Sequence, residues 1–130
     1  SNPVPDFIFQ NQGGLTFIDK SSEWGLDEPN FSSGSAYGDI DNDGDLDLVV
    51  NHVNATASIY RNDVNLVYPS NRFISFRISG DAQNSQGVGT VIKLVLGDEI
   101  VQQEQVPNRG FESSVDPRLV FGVGAKDTIE

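Results

Sequence analysis

The sequence predicts an all-β protein, and three observations carry that prediction. Where apolar residues recur regularly they do so with a period of two: Ile74, Phe76 and Ile78 alternate with Ser75, Arg77 and Ser79, and Ile92, Leu94 and Leu96 stand opposite Lys93. The remaining apolar runs are short, rich in aromatic and β-branched residues, and bounded by Gly, Pro, Asn or Asp. The long connection from Ser21 to Ser35 carries Gly25, Pro29 and Gly34, too many breakers for a long helix.

Composition narrows the classes. With 37% hydrophobic residues, including 8 Phe, the 130-residue chain has enough apolar surface to bury a core and is not a disordered tail. The net charge of -11 argues against sequence-independent binding to nucleic acid and against attraction to an anionic membrane surface. The absence of cysteine excludes disulfides, thiolate zinc sites and thiol catalysis, and says nothing of compartment. No run approaches the ~18 apolar residues of a spanning helix.

In chain order, Asp6 to Asn11 is a short aromatic strand, Gln12-Gly13-Gly14 a turn, and Leu15 to Lys20 the return arm of a hairpin. A single helical turn is expected at Ser22 to Leu26. Ser35 to Ile40 and Leu46 to Asn51 read as two strands flanking an acidic loop, with Ala57 to Asn62 as a third. Asp63 to Asn71, with Pro69, Ser70 and two Asn, reads as a linker that divides the chain near Pro69. Beyond it come the alternating strand at 74–79, a polar loop from Gly80 to Gly89, and a strand from Thr90 to Leu96. The Gly97-Asp98 hairpin turn leads into Glu99 to Val106, followed by strands at Phe111 to Val115 and from Arg118.

The chemistry concentrates at Gly38-Asp39-Ile40-Asp41-Asn42-Asp43-Gly44-Asp45-Leu46-Asp47-Leu48. Counting from Asp39, carboxylates occupy positions one, three, five and nine, and Gly44 at position six supplies the tight turn that brings oxygens round a hard cation. The side chains of Asp39, Asp41, Asp43 and Asp47 and the main-chain carbonyl of Asp45 form the expected ligand set, and hard oxygens on one flexible loop suit Ca²⁺ better than Mg²⁺. Without a cation, so many carboxylates in nine residues repel one another. An EF-hand requires a bidentate Glu at position twelve and flanking helices; here position twelve is Val50 inside a β-branched run. The expected ion is structural, with an affinity of the extracellular kind, about 10⁻⁴ to 10⁻³ M.

Phe17-Ile18-Asp19, Trp24-Gly25-Leu26, the Gly38 to Leu48 loop and Ile59-Tyr60-Arg61-Asn62 together resemble one FG-GAP/VCBS repeat, the calcium-binding blade of integrin-like propellers. Gly87-Val88-Gly89-Thr90-Val91, Gly110-Phe111-Glu112-Ser113-Ser114 and Arg118-Leu119-Val120-Phe121-Gly122-Val123-Gly124 resemble the ASPIC/UnbV domain that follows such repeats in a family of extracellular proteins. The resemblance implies a propeller-like antiparallel blade with a calcium loop at residues 3–68 and a small antiparallel β-sandwich at 70–130. It also implies a secreted, periplasmic or cell-surface location, and binding of a protein or glycan rather than catalysis. A propeller closes only with several blades, and the strand expected after Gly124 has barely begun at Thr128-Ile129-Glu130. The expectation is therefore a piece of a larger protein, cut short at its C-terminal side, with other propeller blades as partners and no insertion into a membrane.

Other residues carry weaker chemistry. His52 is the sole histidine, which removes paired-His metal sites and leaves any triad without a nucleophile motif; a surface or strand-end position is expected. Glu99, Glu104, Glu112 and Asp116 could supply a glycosidase pair, although alternation turns Glu99 and Glu104 to water. Trp24, Tyr37 and Tyr60 are read as packing residues and not sugar platforms. Gly87, Gly89, Gly122 and Gly124 lack the strand-loop-helix context of a phosphate cradle and are read as turns or close approaches. The leading expectation is a calcium-stabilised extracellular binding or adhesion module; the alternative is a structural cap of a larger propeller protein, and a carbohydrate-active enzyme comes third.

Overall fold

The computed structural model describes residues 2–110, 113–126 and 128–129. It is all-β, built of small antiparallel sheets that do not close into a barrel. β1 (Phe9–Gly13) and β2 (Thr16–Asp19) form a hairpin; β3 (Ser32–Gly38), β4 (Asp47–His52) and β5 (Ser58–Tyr60) form a three-stranded sheet in that order. A one-turn helix, α1 (Val64–Val67), precedes β6 (Arg72–Phe76), which pairs across the rest of the chain with the last strand, β11 (Leu119–Gly124). Between them lie the hairpin of β7 (Val91–Leu96) with β8 (Glu99–Glu104) and the short pair β9 (Asn108–Gly110) and β10 (Ser113–Ser114).

The alternation read in the sequence sets the core. Leu94 and Leu96 from β7 meet Leu119, Phe121 and Val123 from β11, with Ile74, Phe76, Ile78, Ile92, Val101 and Ile129 packed around them. Two ribbons thus face each other through one side of each pleat, as a period-two pattern demands. Phe121, 1% exposed, meets Phe76 edge-on with ring centroids 5.8 Å apart. Polar clamps close the ends: Gln103 Nε2 donates to the carbonyl of Val120 at 2.7 Å, and Gln105 Nε2 to that of Pro117 at 2.7 Å.

The N-terminal strands are held differently. Leu26 and Val50 are their buried apolar residues, while Ser21, Asp45, Asp47 and His52 are buried polar ones. The β1–β2 hairpin has no buried residue, and Phe9, Leu15, Phe17 and Ile18 all stand in water. Its connection to the sheet is polar: Ile8 N–H donates to Ser21 Oγ, the Ser21 hydroxyl to Asp19 Oδ1, and the Ser32 hydroxyl to Asp6 Oδ2.

Several expectations are adjusted by these contacts. The linker at 63–71 contains α1, held by Leu66 N–H and Val67 N–H donating to the Asp63 carbonyl. The turn expected near Ser22 to Leu26 forms through Trp24 N–H to the Lys20 carbonyl and Leu26 N–H to that of Ser21. Trp24 itself is 45% exposed, so it is not a packing residue of this sheet. His52 ends β4 as expected but is buried, with Nδ1 beside Ser32 Oγ at 3.1 Å and Nε2 beside Ser58 Oγ at 2.8 Å. Because Ser32 already donates to Asp6, its oxygen is left to accept from Nδ1–H, and in the neutral ring Nε2 then accepts from Ser58. The imidazole therefore laces β3, β4 and β5 together. Of the expected Phe111–Val115 strand, Phe111 and Glu112 lie outside the described residues.

Candidate metal centre

The acidic loop runs from the end of β3 to the start of β4, and the antiparallel register pairs Gly38 with Asp47 at its base. Asp47 is the loop's internal brace. It is buried, its Oδ2 accepts the N–H of Ile40 at 3.0 Å, and its Oδ1 accepts the N–H of Asn62 at 2.9 Å. Asn62 returns a bond from its side-chain nitrogen to the Leu46 carbonyl at 3.3 Å, so the segment after β5 is stitched to the loop's far end.

Gly44 is where the turn becomes possible. Its φ of +95° belongs to the glycine region, and a Cβ there would stand 1.7 Å from Cε1 of Phe73. The aromatic ring from β6 therefore lies directly on the loop backbone. At the start of the loop, Arg118 fixes Asp39. Its guanidinium grips Asp116 through Nε at 2.8 Å and Nη2 at 2.5 Å, and Nη2 also donates to the main-chain carbonyl of Asp39 at 2.9 Å. Nη1 lies 3.8 Å from Asp39 Oδ2.

Asp39, Asp41 and Asp43 bring one carboxylate oxygen each to within 4.8 Å of one another. The side chain of Asp39 is 8% exposed, and its Oδ1 is buried with no hydrogen-bond partner. Asp45 is likewise 8% exposed, and neither of its oxygens has a partner. Asp43 is held from two directions: Oδ1 accepts the N–H of Asp45 at 3.3 Å, and Oδ2 accepts the side-chain nitrogen of Asn65 at 2.7 Å. Asn65, on α1, lies outside the acidic run and was not signalled by it. Its own Oδ1 is also buried and unpartnered.

The electrostatics follow from this crowding. Burial, then the charges of Asp43 and Asp47, push the Asp41 carboxyl above its ordinary value. Asp45 is pushed up by burial first, with Asp43, Asp47 and Asp41 adding to it, against the nearby backbone N–H of Asn65. Burial pushes Asp43 up too, yet it ends below its ordinary value because Asp45 N–H and the Asn65 amide donate to it.

These residues fit a hard divalent cation. Among the described residues the buried side-chain atoms without a partner are Asp39 Oδ1, both Asp45 oxygens and Asn65 Oδ1, and every one is an acceptor. Oxygen acceptors buried without donors cost free energy in a protein alone, and a cation would satisfy those within its reach; the carboxylates that converge are those of Asp39, Asp41 and Asp43. Asp39, Asp41 and Asp43 would hold the ion; Asp47, with both oxygens engaged by N–H groups, shapes the loop that presents them.

Of the glycosidase candidates, Glu99 and Asp116 are engaged in ion pairs. Glu99 is exposed and ion-paired with Lys126 Nζ at 2.5 Å, Asp116 is held by Arg118, Glu104 is exposed, and Glu112 lies outside the described residues. Gly87 is a close approach, since a Cβ there would meet Ile78 Cγ2 at 2.3 Å. Among the described residues no helix is long and apolar enough to cross a membrane. A shallow groove of about 310 Å³ runs between β3, β4 and β10, lined by Ser33, Ser35, Asn51, Ser113 and Ser114.

The chain is similar to cartilage acidic protein 1 of Mus musculus, 37% identical over 57 residues, which is 43% of this chain and 9% of that protein. It is 35% identical to the Homo sapiens protein of the same name over 57 residues, again 43% of this chain and 9% of that protein. No solved structure matches. Residues 80–130, which carry Arg118 and its grip on Asp39, match the family described as ASPIC and UnbV.

Proposed function

We propose that this chain is a calcium-stabilised, non-catalytic module of an exported protein, secreted, periplasmic or at the cell surface, that recognises a protein or glycan. The observation that carries the calcium reading is the set of four buried, partnerless oxygens at and beside the Asp39–Asp47 loop. A bound Ca²⁺ would supply positive charge to that set and lower the mutual repulsion of the carboxylates. The resemblance of the loop to an FG-GAP/VCBS blade supports the same reading, and so does the ASPIC and UnbV match at residues 80–130. The exported location is supported by the cartilage in the name of the similar proteins. Recognition would fall to surfaces such as the serine- and asparagine-lined groove beside β3.

A second reading has its own observation. The β1–β2 hairpin leaves Phe9, Leu15, Phe17 and Ile18 exposed, and a two-stranded ribbon is marginal in water. A structural module that packs against further propeller blades would cover it. Two experiments separate the readings. Calcium titration of metal-stripped protein, followed by its melting temperature, tests the ion; an unchanged transition at millimolar Ca²⁺ would refute it. A glycan array and an extracellular-matrix protein array test recognition, and silence on both would leave the structural module as the reading.

A further inference from the structure

Asn65 lies beyond β5, on α1 and outside the acidic run, yet its side chain reaches the loop. Its Nδ2 donates to Asp43 Oδ2 at 2.7 Å, across 22 positions of sequence. A carboxylate only accepts, so the nitrogen must face Asp43, and the amide's orientation is thereby set. The amide oxygen then lies about 2.3 Å from that nitrogen by covalent geometry. It is buried and no donor reaches it, like Asp39 Oδ1, whose side chain is 8% exposed.

Distances make this oxygen eligible for the ion. With 2.7 Å from Asp43 Oδ2 to Nδ2 and about 2.3 Å within the amide, Asn65 Oδ1 is at most about 5 Å from the Asp43 carboxylate. Oxygens on one Ca²⁺, each bound at about 2.3–2.6 Å, are separated by up to about 5 Å. The oxygens of Asp39, Asp41 and Asp43, within 4.8 Å of one another, obey the same limit. An amide oxygen is also a hard, neutral donor that adds no repulsion to the carboxylates.

We propose that Asn65 Oδ1 is a ligand of the cation held by Asp39, Asp41 and Asp43. The site then does not belong to one loop: it closes only when the segment after β5 folds back over Asp43. The proposal rests on the calcium reading above and extends it to a residue outside the acidic run.

The test compares the full chain with Asn65→Ala and Asn65→Asp, using Ca²⁺ calorimetry and the luminescence lifetime of bound Tb³⁺ in H₂O and D₂O. Asn65→Ala should weaken Ca²⁺ about tenfold and admit about one more water to bound Tb³⁺. Asn65→Asp keeps an oxygen but loses the donor to Asp43; it should bind Ca²⁺ at least as well as the unaltered protein, while melting lower without metal. Equal weakening by both substitutions with an unchanged water count would overturn the ligand role and make Asn65 a positioning residue for Asp43. Unchanged affinity in Asn65→Ala would remove both roles. If the unaltered chain binds neither metal, the calcium reading fails, and the proposal with it. Circular dichroism of each variant without metal separates loss of a ligand from loss of the fold.

Discussion

Arg118 Nη2 donates to the main-chain carbonyl of Asp39 at 2.9 Å, joining residues 79 positions apart. The same guanidinium holds Asp116, whose N–H reaches the carbonyl of Tyr37 at 3.4 Å. The last strand is thereby tied to the end of β3 and to the first position of the acidic loop. Replacing Arg118 with Gln should cost about 1–2 kcal/mol, the worth of a charge-assisted pair discounted for the partial exposure of the guanidinium. Urea unfolding checks the loss, and calcium titration of the same variant should show a weaker response, because the Asp39 backbone loses its anchor.

The Arg118–Asp116 pair also fixes a pH dependence. Hydrogen bonding from Arg118, working against burial, holds the Asp116 carboxyl below its ordinary 3.8. A folded-state value lower than the unfolded one contributes stability that is fully present above about pH 4 and is lost as pH falls through the depressed value. Asp116→Asn should therefore lower stability at neutral pH and flatten this part of the acid limb. Melting curves taken between neutral pH and about pH 2 would show whether the two proteins converge, as this sign requires.

At Gly44 two constraints act on one atom. A side chain would be strained at φ +95° and would overlap the Phe73 ring, whose Cε1 would lie 1.7 Å from the new Cβ. Gly44→Ala should destabilise the protein by about 2–4 kcal/mol, combining backbone strain with overpacking. The double variant Gly44→Ala/Phe73→Ala should recover part of the overpacking component. A strictly additive pair in chemical denaturation would mean that the ring does not limit the loop.

Removing the cation should have a defined size. With an affinity of about 1 mM, 10 mM Ca²⁺ stabilises the folded chain by about 1.4 kcal/mol. That corresponds to a rise of about 5 °C in Tm for a domain of this size. Asp43→Ala should abolish the rise, since it removes an oxygen of the three-carboxylate group and the partner of Asn65. A calcium-dependent rise that survives in Asp43→Ala would place the ion elsewhere.

The all-β class was legible in the chain because period-two alternation is local information. Ile74-Phe76-Ile78 and Ile92-Leu94-Leu96 each specify a wet and a dry face, and the core forms where those faces meet. The spacing of Asp39, Asp41 and Asp43 was legible for the same reason, since one loop carries all three and Gly44 sets its turn. What the acidic run did not disclose is what leans on it. Asn65, Phe73 and Arg118 reach the loop only after α1, β6 and β11 have packed, at sequence separations that no periodicity encodes. Trp24 shows the converse, because its exposure depends on which surfaces find it, and residue type does not report that. The linear order of residues determines which oxygens can converge on one turn. Long-range packing decides which of them are buried away from donors, as Asp39 Oδ1, both Asp45 oxygens and Asn65 Oδ1 are.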